Sequence, residues 1–339
     1  MRLLIFTQKV DKSDSVLGFF HGWLVEFAKN AESVIVVCLE KGEVHLPENV
    51  TVYSLGKEGG VSKFGYIKNL YRYLSLVSGS YDKVFVHMNE EYVLLAGLYW
   101  KIKNIPVYLW RNHPNGTLLT RIAVFLSTKV FCTSKQSFTA RFKKTTIMPA
   151  GIDTNVFRPA NGLIRKKYSV CMVGRISRIK HIEVALEAIK ILVSSGAQIT
   201  LHIVGGVSEK DRDYYNKLKE NVAKNGLETS VLFSDAVTQD KLPEIYSSYE
   251  VCLNLTESGS FDKTIVESAS CGAVPLVSNS SLNAMLPSQC LTTLDPEEVA
   301  KSLQGILDAH ERVEIQKELT TFVKSQSLSL FMEKLITEM

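Results

Sequence analysis

Arg175, Lys180 and Glu267 are the residues of this 339-residue chain whose types and spacing fit the handling of a sugar diphosphate. Arg175 and Lys180 stand in VGRISRIKH, just after the turn glycine Gly174. Arginine offers a planar fork of donors and lysine a mobile point charge. Two such cations at the carboxyl end of a strand could neutralise a leaving diphosphate as its charge develops. The plainer alternative is two surface residues opening a helix, but a helix N-terminus disfavours cations, so two of them there call for an anion. Glu267 lies in NLTESGSFDKTIVESASCGAVPLVSN, Asn254 to Asn279. An apolar strand there runs into a polar turn, and a helix opens near Asp262 and stops at Gly272. Unpaired N–H groups and the positive dipole end at such a helix start make an anion site. Glu267, one to two turns in, is placed to accept hydrogen bonds from ribose hydroxyls rather than to repel the phosphates.

Two further glycine turns belong to the same half. HIVGG, residues 202–206, ends a strand at Gly205 and Gly206, which a tight turn explains as well as a ligand does. MPAGIDTNVFRP, residues 148–159, places Gly151 and Asp153 where one half hands over to the next. The common nucleotide fingerprints are missing. TQKVDKSDSVLGFFHGW after the first strand lacks GxGxxG, and no GxxxxGK[ST] loop occurs, which disfavours hydride transfer and P-loop ATPase chemistry.

The elements that must hold these residues alternate between strand and helix. In the first half the strand candidates are 2–7, 33–39, 50–55, 82–88, 105–110, 129–132 and 145–149, with helices at 15–30, 62–77, 91–103, 117–126 and 134–142 between them. After the polar break FRPANGLIRKK the alternation restarts, and a helical stretch over roughly 295–338 closes the chain. This pattern predicts an α/β protein with two Rossmann-like domains facing across a cleft, and with C-terminal helices that return toward the first. The expected boundaries are 1–156 for an acceptor domain, 157–167 for a linker, 168–315 for a donor domain and 316–339 for a C-terminal helical segment.

A hydrophobic content of 45% and a charged content of 22% are ordinary for a soluble α/β protein. Six scattered cysteines form no CxxC pair, and five of them, in or beside apolar strand-like runs, read as buried free thiols in a reducing compartment. The chain enters its first strand directly, and its apolar stretches are broken by charge short of a spanning length. The expectation is therefore a cytoplasmic protein, with membrane association on the inner face as the variant. Residues 1–160 carry a net +8 and residues 161–339 a net −4, within a total of +4. The basic half is either solvated surface or a face for anionic headgroups or a phosphate-bearing acceptor. The segment KFGYIKNLYRYL, 63–74, interleaves Lys63, Lys68 and Arg72 with aromatics. It reads as an interfacial helix or as a core helix with packed tyrosines. No recognised nucleic-acid motif accompanies it.

VGRISRIKHIEVALEAIKIL, then HIVGG, then SGSFDKTIVESASCGAVPLVS resemble, in order and spacing, the donor domain of family 4 glycosyltransferases of the two-domain GT-B architecture. PAGIDTNVFRP resembles the interdomain signature of that family. The likeness covers most of 145–280; the first half matches only through its strand–helix order, the loop at Gly18 and a histidine in LWRNHPNG. The resemblance implies metal-independent transfer of a hexosyl group from a UDP- or GDP-linked sugar to a glycan or lipid-linked acceptor, with retention of anomeric configuration and no cofactor. It implies that Arg175 and Lys180 grip the diphosphate and that Glu267 binds the ribose. It further implies that amides around Lys263, Thr264 and Ile265 meet phosphates and sugar, that Gly18, Gly174 and Gly205 let backbone approach the donor, and that His113 contacts the transferred sugar. In one departure, the family's second glutamate, eight positions before the first, is here Gly259. Glu257 or Asp262 then takes over the sugar contact, or backbone amides do. The alternatives that keep the fold are a nucleotide-sugar epimerase, a glycan phosphorylase and a non-catalytic nucleotide-sugar binding protein.

Overall fold

The computed structural model describes residues 1–14, 16–258 and 261–339, with Ala309 described by its backbone alone. The chain divides into two compact units, and the change from first to second falls between Gly151 and Ile152.

The first unit is a parallel sheet of β1 (Arg2–Val10), β2 (Ser33–Lys41), β3 (Val50–Ser54), β4 (Lys83–His87), β5 (Val107–Trp110), β6 (Lys129–Cys132) and β7 (Thr145–Ile147). Its strand order is β3-β2-β1-β4-β5-β6-β7. Between the strands lie α1 (Phe19–Asn30), α2 (Lys63–Leu76), α3 (Glu91–Ile102) and α4 (Leu118–Leu126). Alternate side chains on a strand point to opposite faces, and the two halves of the core follow that period. Leu3, Ile5 and Phe85 pack on one face with Phe20, Trp23 and Phe27 of α1. Leu4, Phe6, Val84 and Val86 pack on the other with Leu70 of α2, Trp100 of α3 and Val124 of α4. The helix anticipated over 134–142 is a single 3₁₀ turn, Phe138–Arg141. Phe138 and Thr139 are buried in it, and Thr139 Oγ1 donates to the Arg111 carbonyl at 3.0 Å. These local anchors leave no continuous apolar stripe for a longer helix to bury.

The second unit repeats the scheme with β8 (Ser169–Val173), β9 (Thr200–Val204), β10 (Val231–Ser234), β11 (Val251–Asn254) and β12 (Val274–Val277), ordered β10-β9-β8-β11-β12. All its pairings are parallel. Its helices are α5 (Ile182–Ser194), α6 (Arg212–Lys224), α7 (Leu242–Ser248), α8 (Lys263–Ser270), α9 (Pro296–Leu307) and α10 (Ala309–Ser325). The strand order reverses between β8 and β11, and beyond their carboxyl ends lies the crevice in which open α/β sheets bind ligands. The segment 157–167 lies along this unit: Arg165 Nη2 donates to the Cys271 carbonyl at 2.6 Å and the Ala160 N–H to Ser247 Oγ at 2.9 Å.

The last helix, α11 (Leu328–Glu338), belongs to the first unit. Phe331 packs on Trp23 with ring centroids 4.2 Å apart, and Lys334 Nζ donates to the Ile147 carbonyl at 2.7 Å. All six cysteines are buried and free. Among the described residues no helix is long and apolar enough to cross a membrane.

Candidate functional site

The carboxyl ends of β8 and β11 carry a connected group of polar side chains. Residue Asp262 caps α8, its Oδ1 accepting from the Thr264 N–H at 3.2 Å and from Thr264 Oγ1 at 3.0 Å. The other oxygen, Oδ2, accepts from Asn254 Nδ2 at 2.9 Å and Thr256 Oγ1 at 3.4 Å, and it forms an ion pair with Lys180 Nζ. Asn254 also donates to Thr264 Oγ1 at 2.9 Å. Burial alone would raise the Asp262 pKa. The charge and hydrogen bond of Lys180, with the donors Asn254 and Thr264, outweigh burial and hold it down at about 2. Both carboxylate oxygens are therefore engaged inside the protein, and Asp262 acts as the residue that seats Lys180 at the start of α8.

One turn further, Glu267 is 4% exposed and accepts from Tyr246 OH at 3.2 Å. Burial pushes its carboxyl up to about 7, against the pull of the Lys263 charge. Burial likewise pushes Lys263 down to about 7, with Glu267 working the other way. Burial thus moves both members of this neighbouring pair toward neutrality. Ile265, on the same helix, is fully buried, while Thr264 turns its hydroxyl to the cap.

The loop after β8 is shaped by two glycines. Gly174 has φ +133°, a conformation that L side chains rarely adopt, and a Cβ there would come within 3.3 Å of Lys180 Cε. Its carbonyl is so close to Gly205 that a Cβ on Gly205 would lie 1.9 Å from the Gly174 oxygen. The glycine at 205 thus serves the approach of two strand ends, joined by bonds from Gly174 N–H to the Val204 carbonyl at 3.0 Å and Ile176 N–H to the Gly206 carbonyl at 2.9 Å. After the 3₁₀ turn Arg178–Lys180, His181 adopts a left-handed conformation with φ 48°, and α5 begins. A bulky residue in that region is strained by about 1–3 kcal/mol, and such strain gathers at functional loops. His181 Nε2 lies 3.1 Å from Glu257 Oε1, so the largely exposed Glu257 is tied to this loop.

The structure therefore brings Gly174, Lys180, Gly205, Glu257, Asp262, Lys263, Thr264, Ile265 and Glu267 into one unit around the β8–β11 switch point. Arg175 is on the same loop with an exposed side chain that makes no bond to any described side chain. The position of the displaced glutamate, Gly259, lies outside the described residues.

Gly18 and His113 belong to the first unit. The backbone of Gly18 has φ −54° and ψ −31°, open to any residue, and precedes α1 in a turn whose Asp14 accepts from the Val16 and Leu17 N–H groups at 2.9 and 2.7 Å. His113 Nδ1 lies 3.0 Å from the Asn115 N–H and 2.9 Å from its carbonyl, closing a small exposed turn. Sequence reasoning missed Asn254 and Tyr246. An asparagine ending an otherwise apolar strand was the available signal for the first; a tyrosine inside a short helix gave none.

A recess of about 400 Å³ in the second unit, lined by Lys167, Tyr168, Gln198, Glu250 and Arg312 among others, lies at the opposite, amino-terminal ends of β8, β9 and β11. It is thus remote from the polar group.

Residues 153–286 match a family model described as glycosyl transferases group 1. Mannosylfructose-phosphate synthase of Agrobacterium fabrum is 28% identical over 143 residues, 39% of this chain and 32% of the relative. A D-inositol 3-phosphate glycosyltransferase of Thermomonospora curvata is 28% identical over 144 residues, 37% of this chain and 33% of the relative. The matched part thus spans about a third of these curated relatives. Among solved structures, Anabaena HepE in complex with UDP and glucose aligns over 99% of this chain and 98% of its own, with a TM-score of 0.77 and 17% identity. Sucrose-phosphate synthase from Thermosynechococcus elongatus aligns over 99% and 98%, with a TM-score of 0.75 and 14% identity. These likenesses show the fold: two parallel-sheet α/β domains of the GT-B type.

Proposed function

We propose that this chain is a family 4 glycosyltransferase that moves a hexosyl group from a nucleoside diphosphate sugar to an acceptor hydroxyl with retention of configuration. The observation that carries this reading is the seating of Lys180 by Asp262 at the N-terminus of α8, on the helix that bears the buried Glu267. A diphosphate entering there meets the ammonium of Lys180, the guanidinium of Arg175 and the N–H groups at the start of α8. Glu267, once ionised, accepts from the ribose hydroxyls. In the transfer step the bond from the anomeric carbon to the leaving phosphate oxygen breaks and a bond to the acceptor oxygen forms on the same face. The acceptor proton passes to the departing phosphate, whose new charge Arg175 and Lys180 stabilise. Those two cations supply the charge compensation that a metal ion would otherwise give, so the reaction is metal-independent.

The matched family model supports this reading, as do UDP in the structural neighbours and the names of the synthases and glycosyltransferases. UDP or GDP is the nucleotide class; the acceptor is a glycan or lipid-linked hydroxyl. Gly18 and His113 are assigned, on the family resemblance, to the donor phosphate and the transferred sugar. A thermal-shift series with UDP- and GDP-sugars tests donor binding, since ligand at a hundredfold over its Kd adds about 2.7 kcal/mol. Bound donor with no transfer or hydrolysis, with and without a chelator, would instead identify a non-catalytic binding protein. Sugar isomerisation without acceptor would identify an epimerase.

A further inference from the structure

We infer that the outer surface of α2, α3 and α4 docks the first unit on an anionic lipid bilayer. The sequence pointed to the basic first half and, within it, to the segment 63–74; the folded unit sets two more helices beside that segment. Of the twenty-five large hydrophobic side chains that are exposed among the described residues, eleven lie on these three helices. The most exposed are Phe64 (87%) on α2, Ile102 (71%) on α3, and Leu118 (72%) and Phe125 (67%) on α4, followed by Leu98 on α3. Apolar area concentrated in this way on adjacent elements marks an interaction surface, whereas scattered exposed leucines do not. The inward faces of the same helices already fill the core with Leu70, Trp100 and Val124, so the outward residues are in addition to what folding needs. The three helices form one continuous layer: Tyr71 OH on α2 donates to the Leu95 carbonyl on α3 at 2.9 Å, and Lys101 Nζ on α3 lies 4.0 Å from the Phe125 ring centre on α4.

Charge decides the occupant. The three helices carry Lys63, Lys68, Arg72, Lys101 and Arg121 against the single carboxylate Glu91. Cations interleaved with exposed leucine and phenylalanine fit a headgroup layer above acyl chains, where stems lie along apolar surface and charges meet phosphates. A second copy of this chain is the poorer occupant, because a two-fold interface would set this cationic face against itself.

The test is co-sedimentation of the whole chain with vesicles of phosphatidylcholine alone or mixed with phosphatidylglycerol. Binding is expected to the anionic vesicles, falling as salt rises. Lys101→Gln with Arg121→Gln should weaken it roughly fivefold for each cation removed. Leu98→Glu with Phe125→Glu should abolish it while circular-dichroism melting stays at wild-type values, since both side chains face solvent. No binding to anionic vesicles at low salt overturns the inference. So does a dimer in light scattering that Leu98→Glu with Phe125→Glu converts to monomer. None of these readouts depends on sugar transfer.

Discussion

Lys180 and Asp262, 82 residues apart in sequence, form an ion pair at the switch point of the second sheet, and the same carboxylate caps the helix that carries Glu267. One side chain thereby fixes a cation and the helix start toward which a diphosphate would move. Losing the carboxylate uncouples both.

Asp262→Asn keeps a competent cap but leaves the Lys180 ammonium without its counter-charge. Breaking a largely buried pair from one side costs about 3–5 kcal/mol, and Asp262→Ala should add about 1 kcal/mol for the lost cap. The wild-type carboxyl, held at about 2 in the folded chain against roughly 3.9 unfolded, has a depressed native pKa. Its contribution is therefore complete above roughly pH 4 and lost as pH falls toward 2; at neutral pH it amounts to about 2–3 kcal/mol. Urea unfolding between pH 2 and 7 should show that acid limb in the wild type and lack it in Asp262→Asn.

If Arg175 and Lys180 take up the charge of a leaving phosphate, replacing either with alanine removes a transition-state donor. The expected loss is about 2.7–4 kcal/mol, roughly a hundred- to a thousandfold in kcat. Turnover assays with the donor identified by thermal shift read this directly, and near-normal kcat in both variants would sink the assignment.

The buried Glu267 carboxyl titrates near neutrality, at about 7. The ionised form accepts charge-assisted hydrogen bonds from a ribose, stronger than those to the neutral acid, so nucleotide affinity should rise as pH climbs from 6 to 8. Stability runs the other way. A carboxyl whose native pKa lies above its unfolded value of roughly 4.3 favours the folded state at low pH. That contribution declines as pH passes from roughly 4.5 to 7. Glu267→Gln should flatten the affinity profile measured by calorimetry and should bind nucleotide more weakly at pH 8.

Gly205→Ala forces a methyl group into the Gly174 carbonyl, 1.9 Å away. Overpacking of this kind costs about 1–3 kcal/mol, which thermal unfolding would report as a lowered Tm. Gly174→Ala strains a backbone at φ +133° and crowds Lys180, so it should lower both Tm and kcat.

The strand–helix alternation was readable because strands buried on both faces, such as Leu3–Phe6 and Val84–Val86, are continuous apolar runs bounded by turns. The start of α8 at Asp262 was readable for the same kind of local reason, an aspartate ahead of an amphipathic octet. What Asp262 does was not. Its five donors come from Lys180, Asn254, Thr256 and Thr264, a convergence that only the β8–β11 pairing creates. Nor could periodicity separate the helix expected at 134–142 from the 3₁₀ turn found there, because side-chain bonds such as Thr139 to Arg111 decide that segment.

The return of α11 to the first unit has a kinetic corollary. Trp23 and Phe331 are 308 positions apart, yet they share one core. A nascent amino-terminal unit must therefore wait, with the rings of Trp23 and Trp110 that Phe331 covers still exposed, while the whole second unit is synthesised and given time to fold. Chaperone dependence during translation should accordingly concentrate on the α1 face, and Phe331→Ala should lengthen that vulnerable interval.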